Sequence, residues 1–153
     1  MIIMKIDFKF RKLDISDKEK VKDLFLSVFT TSPWYDDWSD KEQLDAYLTD
    51  LMGQGNSLSY GMFENEKLIA MSLGRIKHWY TGTEYCIDEF CVRKDKQGQG
   101  IGTCFLENIE KAIREIGLVQ IYLQTDIDVP ALDFYIKNGF IHLEETVSLA
   151  KEV

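Results

Sequence analysis

The apolar positions of this chain recur with two different periods. Residues 5–13 alternate between apolar and charged side chains, which is typical of a strand with one buried face. Two later segments carry apolar side chains three and four residues apart, which predicts amphipathic helices. These positions are Val21, Leu24, Phe25, Val28 and Phe29, then Leu44, Tyr47, Leu48 and Leu51. Ser16 with Glu19 has the spacing of a capping box and predicts where the first helix begins. Ser39 with Glu42 predicts the start of the second helix in the same way.

The second half of the chain returns to strand patterns before alternating strands with helices. Strands are predicted over residues 58–63, 68–80 and 84–92. Short turns join these three strands, so we expect an antiparallel meander. The remaining predicted elements are a helix over residues 101–116, a strand over 119–125, a helix over 130–138 and a strand over 140–149. This order predicts an α+β fold with a mixed, mostly antiparallel sheet flanked by helices.

Composition restricts the partners that this chain can bind. With 153 residues, 45% of them hydrophobic, the sequence predicts one globular domain over residues 1–153. A net charge of −8 argues against a nucleic-acid partner and is compatible with a cationic substrate. Cys86, Cys91 and Cys104 lack metal-ligand spacing, so we expect reduced thiols and no metal. No apolar run is long enough to cross a bilayer, and residues 1–10 lack a signal-peptide core. The chain is therefore predicted to be cytoplasmic.

A glycine-rich turn joins the apolar run 87–92 to the helix predicted from residue 101. Its sequence is Gln-Gly-Gln-Gly-Ile-Gly-Thr over residues 97–103. Glycines allow close approach of an anion to the backbone, and a helix N-terminus presents free N–H groups and partial positive charge. The turn therefore suits a pyrophosphate. It matches neither the phosphate-binding loop with Gly-Lys-Ser/Thr nor the dinucleotide fingerprint. A tight strand-to-helix turn without a ligand is the structural alternative.

Two motifs and the order of the elements carry a resemblance to a known family. Gln97, Gly100 and Gly102 form a Gln-x-x-Gly-x-Gly pattern similar to the acetyl-CoA-binding turn of the GNAT superfamily of N-acetyltransferases. The segment from Ala131 through Tyr135 to Gly139 and Phe140 resembles that superfamily's Ala-x-x-x-Tyr-x-x-x-Gly-Phe signature. Strand 87–92 is similar, more weakly, to the Leu-Glu-Asp-Leu-Phe-Val strand of polyamine acetyltransferases. The position of a common family asparagine holds Asp128, and a carboxylate cannot donate a hydrogen bond as an amide does.

The resemblance implies acetyl transfer from acetyl-CoA to an amine by direct attack in a ternary complex. It implies that backbone groups of three strand residues bind the pantetheine arm and that the glycine-rich turn holds the pyrophosphate. The cofactor-binding residues are Phe90, Cys91, Val92, Gln97, Gly98, Gln99, Gly100, Ile101, Gly102 and Thr103. It assigns Tyr135 as the acid that protonates the departing thiolate, and a core tyrosine is the alternative. Asp88 or Glu89 is implied as the base that deprotonates the amine. A β-bulge would bring both adjacent carboxylates to the cleft.

The loop between the first two helices combines aromatic and acidic side chains that suit a cationic amine. The candidate acceptor-binding residues are Trp34, Tyr35, Asp36 and Asp37. A loop anchored by buried tryptophans is the structural alternative. The expected partner is a small-molecule amine acceptor, with no nucleic acid and no membrane, and a homodimer is left open. Two other functions are weighed: a non-catalytic acetyl-CoA-binding regulatory module, and a peptide or protein N-terminal acetyltransferase.

Overall fold

The computed structural model describes residues 8–153, and within them five strands form one sheet flanked by four helices. The strands are β1 (Phe8–Leu13), β2 (Ser57–Glu64), β3 (Lys67–Trp79), β4 (Gly82–Val92) and β5 (Gln120–Leu123). The helices are α1 (Lys18–Phe29), α2 (Lys41–Met52), α3 (Ile101–Glu115) and α4 (Pro130–Lys137). Neighbouring strands follow chain order, and only β4 and β5 run parallel. The predicted α+β class with a mixed, mostly antiparallel sheet is confirmed.

The sheet buries apolar side chains on both faces. On one face α1 and α2 pack against β3 through a cluster that includes Phe25, Leu48 and Leu73. On the other face α3 packs through Phe105 and Ile109. Each fully buried side chain of this size contributes roughly 1.5–3 kcal/mol of transfer free energy to folding. The two cores fix the helices that carry the site against one rigid sheet. No helix within residues 8–153 is long and apolar enough to cross a membrane.

The N-terminal caps of the first two helices differ from the prediction. A short 3₁₀ turn, Ile15–Asp17, precedes α1, and Asp14 caps it by accepting from the Ser16 backbone N–H at 2.9 Å. The Asp40 carboxylate caps α2 by accepting from the Glu42 and Gln43 N–H groups, both at 3.1 Å. The predicted capping boxes from Ser16 and Ser39 are therefore wrong. Aspartate is at least as good an N-cap as serine, and its charged oxygen makes the stronger hydrogen bond.

The predicted C-terminal strand over residues 140–149 is also wrong. A turn interrupts this segment, with the Thr146 N–H donating to the Leu143 carbonyl at 3.4 Å, and no ladder forms. Ile141, Val147 and Leu149 are exposed. The apolar alternation of this segment therefore does not correspond to a buried face. For the first predicted strand, residues 8–13 are confirmed and residues 5–7 lie outside the described residues.

Two irregularities of β4 create the site. The β3–β4 ladder pairs Leu73 with Glu89 and Gly74 with Ile87, so Asp88 is the extra residue of a β-bulge. Gly74 is required there, because a Cβ atom would lie 2.4 Å from the Cys86 carbonyl oxygen. Pairing between β4 and β5 ends at Ile87, after which β4 continues without β5 as a neighbour. The bulge and the open edge of β4 therefore lie side by side.

Candidate active site

The glycine-rich turn is open on the side where an anion would bind. Gly98 and Gly100 have left-handed φ angles of 73° and 79°, and a Cβ atom on either would meet no atom within 4 Å. Gly100 is the N-cap of α3, and no side chain of the described residues caps this helix end. The first helical N–H groups and the helix dipole are therefore available to an anion. Thr103 lies in this first turn and is half-buried.

Other residues of the turn hold its shape. The Gln97 side chain donates to the Val92 carbonyl at 2.9 Å, and the Gln99 side chain donates to the Asp95 carbonyl at 3.0 Å. Ile101 is buried in the core beneath α3. Gly102 allows helix packing, because a Cβ atom there would lie 3.0 Å from the Phe134 ring. The open glycines, Gly98 and Gly100, thus lie between neighbours whose side chains bond or pack to the protein.

The free edge of β4 presents backbone groups of alternate residues. The Arg93 N–H donates to the Ile69 carbonyl at 2.7 Å, across to β3. Because hydrogen-bonded and non-hydrogen-bonded pairs alternate in an antiparallel ladder, the backbone groups of Cys91 also face β3. Those of Phe90 and Val92 face the open edge, where an extended ligand could pair with them. The Val92 carbonyl already accepts a hydrogen bond from the Gln97 side chain.

Glu89 is the most electrostatically perturbed carboxylate of this region. Its Oε1 accepts a hydrogen bond from the Tyr47 hydroxyl at 2.5 Å. Burial raises the pKa of Glu89 to about 7, the Tyr47 hydrogen bond lowers it, and the negative charges of Asp36 and Asp88 raise it further. A carboxylate with this pKa exchanges a proton near neutral pH. Glu89 therefore has the properties of a general acid or base.

Asp88 lies beside Glu89 in a different setting. Its two carboxylate oxygens accept from Arg75 Nη1 at 2.7 and 2.8 Å. The side chain is 32% exposed, so solvent screens this ion pair. The bulge brings both carboxylates to the same region, which the sequence predicted only for the case of such a bulge, but only Asp88 has a cationic partner among the residues described.

Tyr135 of α4 is buried at the edge of this region. It is 8% exposed, and its ring meets that of Phe90 edge-on at 6.0 Å between centroids. Burial, with the nearby Cys91 and Glu89, raises the pKa of the Tyr135 phenol. Its hydroxyl makes no hydrogen bond to any residue from 8 to 153. A neutral phenol at this position retains its proton for donation. Asp128 lies in the exposed segment before α4, and its side chain makes no hydrogen bond to any residue from 8 to 153.

The α1–α2 loop is anchored at some residues and open at others. Trp34 packs on Phe29 at 5.7 Å between ring centroids. Tyr35 is 72% exposed. Asp36 is exposed, its N–H donates to the Phe29 carbonyl at 2.8 Å, and its charge acts on Glu89. Asp37 accepts from the Ser39 N–H at 3.0 Å, which holds the loop before α2.

Sequence reasoning missed two residues of this site. Tyr47 belongs to the apolar stripe of α2, and its ring stacks on Trp38 at 5.3 Å and 11°. The one available signal was its hydroxyl within an otherwise aliphatic stripe. Arg75 gave no signal, since its pairing with Asp88 depends on the strand register.

In the described part of the chain no group of three or more His, Cys, Asp and Glu residues could hold a metal ion.

A cavity of about 560 Å³ lies beyond β5, separate from Glu89. It is bounded by α3, β5, α4 and the segment after α4, and Tyr135 lies in its wall. The carboxylates of β4 and the glycine-rich turn do not line it. It therefore does not bring the candidate catalytic and cofactor-binding groups together.

Known structures share this fold. An aminoglycoside acetyltransferase from an uncultured soil metagenomic sample, solved with sisomicin, is 22% identical, with 95% of this chain and 96% of that chain covered and a TM-score of 0.74. Aminoglycoside N-acetyltransferase AAC(6')-Iy, solved with CoA, is 13% identical over all of both chains, with a TM-score of 0.75. Glucosamine-6-phosphate N-acetyltransferase from Arabidopsis thaliana is 21% identical over 95% and 98% of the chains, with a TM-score of 0.66.

A search of curated proteins by sequence finds no match. The model of the acetyltransferase (GNAT) family matches residues 19–140, which include α1, α2, the bulge, the glycine-rich turn and α4. Since this match spans well over half of the chain, the protein belongs to the GNAT family of acetyl-CoA-dependent N-acetyltransferases.

Proposed function

We propose that this protein transfers the acetyl group of acetyl-CoA to a small cationic amine by direct attack in a ternary complex. The observation that carries the proposal is Glu89, a half-buried carboxylate with a pKa of about 7 beside the free edge of β4. An ammonium group must lose a proton before its nitrogen can attack. A base with this pKa can take that proton near neutral pH.

The cofactor side of the site fits a pyrophosphate followed by an extended arm. Gly98 and Gly100 leave open space at an uncapped helix N-terminus, which supports binding of the phosphates by backbone N–H groups. Phe90 and Val92 have backbone groups toward the unpaired edge, which supports binding of the pantetheine amides. We place the reacting thioester beyond this arm, toward Glu89.

The proton transfers in the proposed reaction balance. The amine nitrogen bonds to the acetyl carbon, and the carbon–sulfur bond breaks. Glu89 accepts the proton that the ammonium group loses before attack, directly or through one water molecule, and the second proton, which the nitrogen loses after attack, passes to solvent. The departing thiolate takes a proton from the Tyr135 hydroxyl, which burial keeps neutral. Bulk solvent then restores both groups.

The acceptor side supports a cationic amine. The negative charges of Asp36 and Asp88 act on Glu89, and Tyr35 exposes an aromatic surface at the same loop as Asp36. Carboxylates and aromatic faces both attract an ammonium group. Asp37 accepts a hydrogen bond from the Ser39 N–H within the loop, and Trp34 is packed on Phe29, so we assign them to loop structure more than to acceptor contact. The similar aminoglycoside and glucosamine-6-phosphate acetyltransferases are named for amino-sugar substrates, which supports the same class here.

An acceptor panel tests the proposal. CoA release is measured by chromatography with an aminoglycoside, an amino sugar, a polyamine and a peptide N-terminus, and Glu89→Gln is run as the control. Chromatography is needed because the exposed Cys104 would itself react with a thiol reagent. Turnover of a cationic small amine that falls in Glu89→Gln supports the proposal. Preferred turnover of the peptide points to an N-terminal acetyltransferase. Acetyl-CoA binding without turnover of any amine points to a regulatory module.

A further inference from the structure

Tyr47 connects the helical layer to the carboxylate on β4. It lies on α2, 42 residues before Glu89, and its hydroxyl donates to Glu89 Oε1. Its ring stacks on Trp38 at 5.3 Å and 11°, and meets Phe25 edge-on at 6.1 Å. The ring is therefore held from two sides, and the hydroxyl is aimed at one carboxylate oxygen. Aromatic pairs of this kind favour a single ring orientation.

We propose that Tyr47 is a positioning residue for Glu89, and this inference rests on the proposed function. Its hydroxyl occupies Oε1 and leaves Oε2 to take the proton from the amine. A carboxylate free to rotate would expose either oxygen and either lone-pair direction to the acceptor. The Tyr47 hydrogen bond selects one arrangement, and the Trp38 stack fixes the donor.

The same contact sets the protonation state of Glu89. Burial favours the neutral acid, and a hydrogen bond donated to the carboxylate favours the ionised form. Asp36 and Asp88 act in the same direction as burial, because their charges repel a second negative charge. Tyr47 is thus the one neighbour among these that favours the form able to act as a base. Burial and the Glu89 carboxylate raise the pKa of Tyr47, so the phenol stays a donor throughout.

Tyr47→Phe removes the hydroxyl and retains the stacked ring. We expect the acidic limb of the kcat/KM profile to move about one pH unit higher. Since one unit is tenfold in the ionised fraction, kcat/KM should fall about tenfold at pH 6. The loss should be much smaller at pH 9, where Glu89 is ionised in both proteins.

Tyr60→Phe is a matched control. Tyr60 is also a buried, stacked tyrosine, with its ring 5.3 Å from that of Phe10, on the opposite face of the sheet. Its hydroxyl bonds no carboxylate in residues 8–153. This variant should leave the acidic limb in place. If the acidic limb of Tyr60→Phe shifts by as much as that of Tyr47→Phe, the shift reflects a general loosening of the protein, and this overturns the proposal.

The titration of Glu89 can be measured without turnover. In protein labelled with ¹³C at the glutamate carboxyl groups, the Glu89 signal is the one missing from Glu89→Gln. We expect its midpoint to rise in Tyr47→Phe and to stay in Tyr60→Phe. An unchanged midpoint together with an unchanged acidic limb overturns the role of Tyr47. If Tyr47→Phe folds poorly, Trp38→Leu, which removes the stack and retains the hydroxyl, should raise the midpoint by a smaller amount, and no rise overturns the role.

This design separates the two proposals. Full turnover by Glu89→Gln would overturn the proposed base, and the positioning role in catalysis with it. Loss of turnover in Glu89→Gln with no effect of Tyr47→Phe on midpoint or limb would leave the base assigned and reject Tyr47.

Discussion

Asp88 and Glu89 are consecutive residues of β4, and their carboxylates lie in opposite electrostatic settings. Asp88 accepts two hydrogen bonds from Arg75 and remains partly exposed. Glu89 is half-buried against Tyr47, with a pKa of about 7. The Asp88 carboxylate lies against the Arg75 guanidinium, whereas burial raises the pKa of Glu89. Of the two neighbouring acids, Glu89 is therefore the better candidate for exchanging a proton near neutral pH, and Asp88 is engaged in an ion pair.

The first prediction concerns which acid is the base. Glu89→Gln should lower kcat by about 10²–10⁴-fold, the usual contribution of general base catalysis. Asp88→Asn should lower it by less than about tenfold, since it changes the field and not the proton acceptor. The parent should show an acidic limb near pH 7 in kcat/KM, and Glu89→Gln should lack it. Steady-state kinetics from pH 5.5 to 9 measure both. A larger loss in Asp88→Asn would reverse the assignment.

The second prediction concerns stability. The pKa of Glu89 is about 7 in the folded protein and near 4.5 in an unfolded chain. A raised carboxyl pKa means that the folded state binds more protons between these values. The stability due to this group is therefore fully present below pH 4.5 and is lost as pH rises through 7. Glu89→Gln cannot ionise, so it should be more stable than the parent at pH 8, by up to roughly 3 kcal/mol.

Thermal or urea unfolding at pH 5 and pH 8 measures this difference. At pH 5, just above the unfolded pKa, the difference should shrink to about 1 kcal/mol or less. Glu107→Gln, which removes an exposed carboxylate on α3, should give a difference that is small at both pH values. If Glu89→Gln is no more stable than the parent at pH 8, then the surroundings of Glu89 do not disfavour its charged form, and the prediction is wrong.

The sequence predicted the architecture well because apolar periodicity reports burial directly. The glycine-rich turn and residues 88–89 could be picked out as candidates because they are local features, and their roles stay predictions. The sequence prediction failed where a distant or competing group determines the local structure. Asp14 and Asp40 cap helices assigned to serines, and a turn at residues 143–146 prevents the last strand. The contacts of Tyr47 and Arg75 depend on packing and register, which a single sequence does not encode locally.

The third prediction concerns the cofactor. Gly100→Val should weaken acetyl-CoA binding strongly, because the new side chain enters the open space where the phosphates would lie. It also strains a left-handed residue. Gly117→Val is the matched control: Gly117 has φ 87°, open space around it, and lies beyond the other end of α3. Calorimetry should show similar destabilisation in both variants but lost affinity only in Gly100→Val. Equal affinities of the two variants for acetyl-CoA would show that the glycine-rich turn does not hold the pyrophosphate.

The fourth prediction concerns the acid. Tyr135→Phe removes one oxygen from a buried ring and retains its contacts with Phe90 and Phe140. We expect kcat to fall by about 10²–10⁴-fold with little change in acetyl-CoA affinity. Tyr122→Phe on β5 serves as the control and should keep parental turnover. Rates measured in pre-steady state ensure that chemistry is observed. An unchanged chemical step in Tyr135→Phe would make Tyr135 a core residue.

The last prediction concerns the charge of the acceptor. Asp36 is exposed in the α1–α2 loop, and its charge acts on Glu89, so an ammonium group between them would be attracted to both. Asp36→Asn should raise KM for a cationic amine about tenfold or less and leave the affinity for acetyl-CoA unchanged. Asp50→Asn removes the same charge from an exposed position of α2 and should leave KM as it is. Because the screening length is only about 8 Å at physiological ionic strength, KM of the parent should rise with added salt. Asp36→Asn should show a weaker salt dependence than Asp50→Asn, since one of the attracting charges is gone. A preferred acceptor that is anionic, or a KM that salt does not change, would reject the cationic acceptor while leaving the family assignment intact.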